Sequence, residues 1–340
     1  TEATDALAAQ VDIDGESLHQ ARLVDALADL GASGAGPTRP FTPWLLEQGL
    51  KAESWHLRAR SIAALATLKE VAAIPVLIEL LETEQGRLRG DASEALLALT
   101  GQDFHGNVVL WRRWWADQGE DFAVPDEPQP SSDAKALEQV GLTFFGLRTE
   151  SQKVLFVLDV SGSMEFPMVG ESGTGGARGE GEQRITVAKR ELLKALGGIK
   201  EGGTFNLVLY ASDVWTWADD PVEMDADSRA AVTEFVESIK PVGGTNIYGA
   251  MALGLKESRG SKKKKGAPRW VDPAYDTIFL LSDGVPSMGV ATDRDGILGM
   301  VAEENADLGI VIHTIGLSSD QDAVLMRSLA EQNDGTYAAR

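Results

Sequence analysis

KVLFVLDVSGSM, residues 153–164, runs five apolar residues, Val154 to Leu158, into Asp159 and then places hydroxyls at Ser161 and Ser163. A short, continuously apolar run is the pattern of a parallel strand covered on both faces. Its end admits two readings. Asp and Ser are common turn residues, and a strand must stop somewhere. Alternatively, a rigid strand is delivering a carboxylate and two hydroxyls to one point, as a metal site requires.

Working outward, the same rhythm recurs. FNLVLYAS (205–212), DTIFLLSDG (276–284), IVIHTIGL (310–317) and TYAA (336–339) read as strands. RITVAKRELLKALGGI, DSRAAVTEFVESIK, NIYGAMALGLKES, DGILGMVAEENADLG and DAVLMRSLAEQN read as helices between and around them. TFFGL (143–147) reads as a short edge strand, and VWTW (214–217) as a return beside its predecessor. Strands alternating with helices predict an α/β doubly wound, Rossmann-like, mostly parallel sheet over 140–340. Ligands of such sheets sit outside the carboxyl ends of the strands.

Two further loops reach that edge. GGTN places Thr245 at a helix start behind two glycines, and LLSDG places Asp283 at a strand end. Asp159, Ser161, Ser163, Thr245 and Asp283 then form a set of two carboxylates and three hydroxyls. Hard oxygen donors suit Mg²⁺, with Mn²⁺ or Ca²⁺ as alternatives. On the count of these residues, two carboxylates balance a dication, and the hydroxyls leave its charge unchanged.

Asp159-Val-Ser161-Gly-Ser163, with GGTN and LLSDG in order on strand ends, resembles the von Willebrand factor A domain and its metal-ion-dependent adhesion site. The resemblance spans roughly residues 150–340 and all five site positions. It implies that Ser161 and Ser163 bind the ion through their hydroxyls. Asp159 and Asp283 act directly or through water, and Thr245 joins in one of those two ways. A carboxylate from a partner protein, an Asp or Glu, takes the last position. The implied activity is binding, not catalysis. The alternatives are an accessory subunit of an AAA-type ATPase machine and a Mg²⁺-dependent hydrolase. The hydrolase has little to support it. The four histidines, 19, 56, 105 and 313, are scattered, and His313 inside an apolar strand reads as a core residue.

Residues 1–123 read as an all-α domain. HLRARSIAALATL and RLRGDASEALLALTG repeat with an offset of 31 residues: Leu57-Arg58 matches Leu88-Arg89, and Ala64-Leu65 matches Ala95-Leu96. A weaker echo aligns 21–30 with 59–68. Paired helices at this period suggest a short solenoid, and the segment resembles HEAT repeats. A small irregular bundle is the other reading. Helical repeats joined to such a domain also resemble bacterial proteins of unassigned role. Trp111, Trp114 and Trp115 share one helix face and are expected to plug the end of the core. The Pro- and Ser-rich stretch 124–139 reads as a linker.

Two stretches interrupt the α/β pattern. The glycine-rich insertion 165–183 is expected to be mobile without a partner. The basic run SKKKKGAPR, 261–269, reads as a solvated loop.

Composition sets the limits. A net charge of −21, with 19 acidic and 10 basic residues in 1–123 and 33 and 21 in 124–340, argues against nucleic acid and against anionic membranes. With no cysteine, disulfides, thiolate metal sites and cysteine nucleophiles are excluded. No apolar run approaches the ~20 residues that span a bilayer. The first residues, TEATDALAAQ, show no signal peptide, so localisation, exported or cytoplasmic, stays open.

Overall fold

The computed structural model describes residues 2–11, 17–36, 41–119, 122–125, 142–168, 181–259, 273–306 and 308–340. They group into two compact units, one within 2–125 and one within 142–340. The whole basic run, 261–269, and residues 169–180 of the glycine-rich insertion lie outside the described residues, as does most of the linker.

The first unit is helical: α1 (Glu2–Val11), α2 (Ser17–Ala32), α3 (Thr42–Glu47), α4 (Trp55–Thr67), α5 (Ala73–Thr83), α6 (Arg87–Thr100) and α7 (Val108–Gln118). The residues that repeat in sequence do the same work in space. Leu57, Ala64 and Leu65 on α4 are buried, as are Leu88, Ala95 and Leu96 on α6. The upstream echo holds too: Ala21, Val24 and Leu27 on α2 are buried like Ala59, Ile62 and Leu65. Helices α2 to α7 turn buried residues onto one shared core, and Leu23 and Leu27 of α2 form a small separate cluster with Leu7 and Ala8 of α1. Trp111 closes it, fully buried, with its indole N–H donating to the His105 carbonyl at 2.7 Å. Phe104 and Trp114 meet it edge-on at 5.0 and 5.9 Å. The tryptophan stripe is thus a core plug and not a free platform.

The second unit contains β1 (Leu142–Phe144), β2 (Leu147–Thr149), β3 (Lys153–Asp159), α8 (Arg184–Gly197), β4 (Thr204–Tyr210), β5 (Val214–Thr216), β6 (Val222–Glu223), α9 (Ala226–Ser238), α10 (Ile247–Ser258), β7 (Thr277–Ser282), α11 (Arg294–Asn305), β8 (Val311–Gly316), α12 (Ala323–Glu331) and β9 (Tyr337–Ala339). The sheet runs β5-β4-β3-β7-β8-β9, with β6 also on β4. The four pairings that join β4, β3, β7, β8 and β9 are parallel, and β5 and β6 are antiparallel to β4.

Strand alternation divides two cores. Val154, Phe156 and Leu158 face α8 and α9, while Leu155 and Val157 face α10, α11 and α12. Both faces are apolar, which is why β3 reads as an unbroken hydrophobic run. From β3 the chain passes through α8 to β4 on one side, and β7 lies on the other. The connections leaving β3 and β7 part there, and sheets of this kind bind ligands at the carboxyl ends of strands at such a point.

TFFGL is not an edge strand of this sheet. It belongs to a separate β1–β2 hairpin whose turn residues, Phe145 and Gly146, both have positive φ (48° and 80°). That geometry matches the twist of a two-residue hairpin. Leu142 and Phe144 pack beneath it on the α8 side.

Candidate metal centre

β3 carries Asp159 to the sheet edge fully buried. One carboxylate oxygen, Oδ1, accepts the Ser161 backbone N–H at 2.8 Å and folds the chain back on itself. The following 3-10 turn, Gly162–Glu165, sets Ser161 and Ser163 side by side, Oγ to Oγ 3.0 Å. Ser163 Oγ donates to Asp283 Oδ1 at 2.7 Å, and Ser282 Oγ donates to Asp159 Oδ2 at 2.9 Å. Four of the five sequence-predicted residues therefore form one hydrogen-bonded chain.

Thr245 joins from the third loop. Gly162 N–H donates to the Gly243 carbonyl at 3.0 Å, and Val242 N–H to the Val160 carbonyl at 2.7 Å, which ties the GGTN loop to the end of β3. Gly243 has φ +72°, and a methyl group there would stand 2.6 Å from Ser212 Oγ, so glycine is required twice over. Thr245 in turn anchors the loop after β7. Its N–H donates to Ser287 Oγ at 3.0 Å, and its carbonyl accepts from Ser287 N–H at 2.9 Å and Met288 N–H at 3.2 Å. A carbon added at Gly284 would meet Thr245 Oγ1 at 3.6 Å and Ser163 Oγ at 3.9 Å. Both hydroxyls thus lie beside Gly284.

This donor set fits a small hard cation. Two buried carboxylates and three hydroxyls are all oxygen, and among the described residues no group of three or more His, Asp or Glu forms a rival site. Burial pushes the Asp159 carboxyl up to about 6, and the nearby Asp283 charge adds to the rise, although the hydrogen bonds from Ser161 and Ser282 oppose it. Such a carboxylate gains from a cation beside it. Tyr210, opposite Asp159 in the β4 register, is raised well above its ordinary value by burial, and its hydroxyl donates to the Leu281 carbonyl at 2.8 Å.

Two charged residues were missing from the sequence reading. Arg184, the first residue of α8, is buried and donates through Nη1 to Asp283 Oδ2 at 2.8 Å. Its Nη2 donates to Asp320 Oδ2 at 2.7 Å in the loop after β8. Burial works against its charge, but the two carboxylates outweigh it and raise its pKa. The charge count of two carboxylates alone is corrected accordingly: a guanidinium belongs to the same group. Neither partner has a local signature, because Arg184 lies 99 positions from Asp283 and 136 from Asp320. His313 has a structural place, stacked on Phe279 at 4.9 Å and accepting from Thr336 N–H at 3.1 Å.

Comparison with known proteins places residues 173–339 under the profile of the von Willebrand factor type A domain; the match begins after β3 and the Asp159–Ser163 turn. Inter-alpha-trypsin inhibitor heavy chain H1 of Mesocricetus auratus is 30% identical over 193 residues, 56% of this chain and 18% of that one. Heavy chain H4 of Homo sapiens is 26% identical over 190 residues, again 56% and 18%. The chain therefore spans about a fifth of the length of these relatives. Among solved structures, a von Willebrand factor type A protein from Catenulispora acidiphila has a TM-score of 0.41 at 19% identity, covering 57% of this chain and 40% of that one. The manganese-loaded TRAP protein of Plasmodium vivax has a TM-score of 0.38 at 16% identity, covering 55% and 67%.

Proposed function

We propose, from the premise that the carboxyl-terminal unit is a von Willebrand factor type A domain, that this chain is a metal-ion-dependent protein-binding module. The observation that carries the reading is the hydrogen-bonded hydroxyl pair, Ser161 and Ser163, held between two buried carboxylates on the ends of adjacent parallel strands. Ser161, Ser163 and Thr245 would hold a Mg²⁺-type ion with their hydroxyls. Asp159 and Asp283 fix those hydroxyls in place and supply the negative charge. When bound, the ion supplies a Lewis-acidic position for one further anionic oxygen, an Asp or Glu of the partner. The supporting residues sit on strand ends and a clamped loop, so little reorganisation is needed on binding. Nothing in this arrangement requires a nucleophile or a proton shuttle, and the reading is a binder and not an enzyme.

The experiment is capture of partners by the immobilised full chain in Mg²⁺ or in excess EDTA. We expect a partner retained in Mg²⁺, released by EDTA and recovered when Mg²⁺ is restored. A partner held equally in both conditions would place the binding surface elsewhere, with the helical unit the first place to look. Net charge −21 makes long-range attraction of an acidic partner unfavourable. Retention should therefore depend far less on salt than on the ion.

The hydroxyls should matter less than the carboxylates. Ser161→Ala removes a neutral donor and leaves both charges. We expect Mg²⁺ affinity to fall roughly tenfold, read by titration calorimetry, and an unchanged affinity would remove Ser161 from the ligand set.

A further inference from the structure

Arg184 stands at the meeting of three segments. Its backbone N–H donates to the Phe166 carbonyl at 3.0 Å, and its guanidinium lies over the Phe166 ring at 5.8 Å. One guanidinium nitrogen holds Asp283 Oδ2 and another holds Asp320 Oδ2. The Arg184 side chain is only 3% exposed, while that of Asp320 is 65% exposed. Asp283 is therefore occupied on both sides, Oδ1 by the Ser163 hydroxyl and Oδ2 by Arg184.

The charge of the group follows. Asp159 and Asp283 contribute two negative charges, and Arg184 returns one positive charge from a buried position. Asp320 pairs with the same guanidinium from the solvent side, where water screens it. Within the buried group a dication would then keep an excess positive charge, where the two carboxylates alone would have cancelled it.

We infer that Arg184 is a specificity-determining residue of this centre, which keeps the ion weakly held and under-neutralised so that the site favours an anionic oxygen from outside. The inference rests on the metal-dependent reading above. Arg184 touches neither the hydroxyl pair nor, in this scheme, the partner; it acts through Asp283. It makes the metal site weaker and the anion site stronger. Two effects of opposite sign from one residue distinguish this role from simple support, whose loss would weaken both.

The test uses the EDTA-stripped full chain at neutral pH, in wild-type, Arg184→Gln and Asp320→Asn forms. Mg²⁺ alone is titrated by calorimetry. Acetate, as the carboxylate probe, is then titrated into the Mn²⁺-saturated proteins and followed by water-proton relaxation. For R184Q we expect Mg²⁺ to bind tenfold or more tightly, because a buried like charge is gone, and acetate to bind several-fold more weakly. For D320N we expect Mg²⁺ to bind about threefold more weakly, because the guanidinium charge is then less shared. If R184Q binds Mg²⁺ equally or less well, the inference is overturned while the metal reading stands. If wild type binds no Mg²⁺, both fall. Should R184Q fail to fold by circular dichroism, D320N decides, since its side chain is largely exposed: weaker Mg²⁺ binding supports the inference, and unchanged or tighter binding overturns it.

Discussion

Replacing Asp159 by asparagine is expected to abolish Mg²⁺ binding and, at the same time, to stabilise the metal-free protein. The first effect follows from charge: Asp159 is a buried carboxylate hydrogen-bonded to both Ser161 and Ser282, and asparagine keeps its shape but brings no charge. We expect affinity to fall by about a hundredfold or more, since the loss of one charge beside a dication in a poorly screened site outweighs the loss of a neutral donor. The second effect follows from linkage. The Asp159 carboxyl is raised from 3.8 to about 6, chiefly by burial. The folded state therefore holds its proton more tightly than the unfolded state, and the metal-free protein loses stability as pH rises from about 4 to about 6. Above that window the ionised, buried carboxylate costs the fold about 3 kcal/mol. Asparagine carries no such penalty. The stability difference between D159N and wild type should be near zero at pH 4 and grow to its full size by pH 7, as read by urea denaturation in EDTA. A difference that does not change with pH would show that Asp159 is not the group that titrates.

The second large effect lies in the helical unit. Trp111→Ala is expected to cost about 3–5 kcal/mol, the usual range for removing a fully buried large aromatic side chain. It empties the space between Phe104 and Trp114 and orphans the His105 carbonyl that the indole N–H now satisfies. Trp111→Phe retains most of the ring contact but not the hydrogen bond, and about 1–3 kcal/mol is expected. Hydrogen exchange should show the loss of protection within residues 41–119, with β3, β4 and β7 unchanged. A cost below about 1 kcal/mol for Trp111→Ala would be too small for a core residue and would contradict the assignment of the tryptophan stripe to the core.

The parts of this molecule legible from sequence are those whose physics is local or periodic. β3 could be read because both its faces meet apolar cores, and the repeat in α4 and α6 because equivalent leucines and alanines face one interior. Asp159, Ser161 and Ser163 could be read because a strand end and one turn bring them together, and the order of GGTN and LLSDG along the chain pointed to Thr245 and Asp283. Arg184 could not be found that way. At the start of an amphipathic helix it looks like any surface cation, and its partners come from two loops far along the chain. Ser282 was hidden for a similar reason: within the apolar strand β7 it reads as filler, yet its hydroxyl holds Asp159 Oδ2. The β1–β2 hairpin was misread because three-residue strands carry too little periodicity to say which sheet they join.

Metal-dependent binding requires a cation beside the paired hydroxyls of Ser161 and Ser163. The most direct measurement is anomalous diffraction from crystals of the full chain grown or soaked with Mn²⁺. We predict one strong anomalous peak at the carboxyl ends of β3 and β7, at about 2.1 Å from Ser161 Oγ and Ser163 Oγ, as a small hard dication requires. Saturating Mn²⁺ with no peak at that point, or with the peak held by other residues, would contradict the central claim.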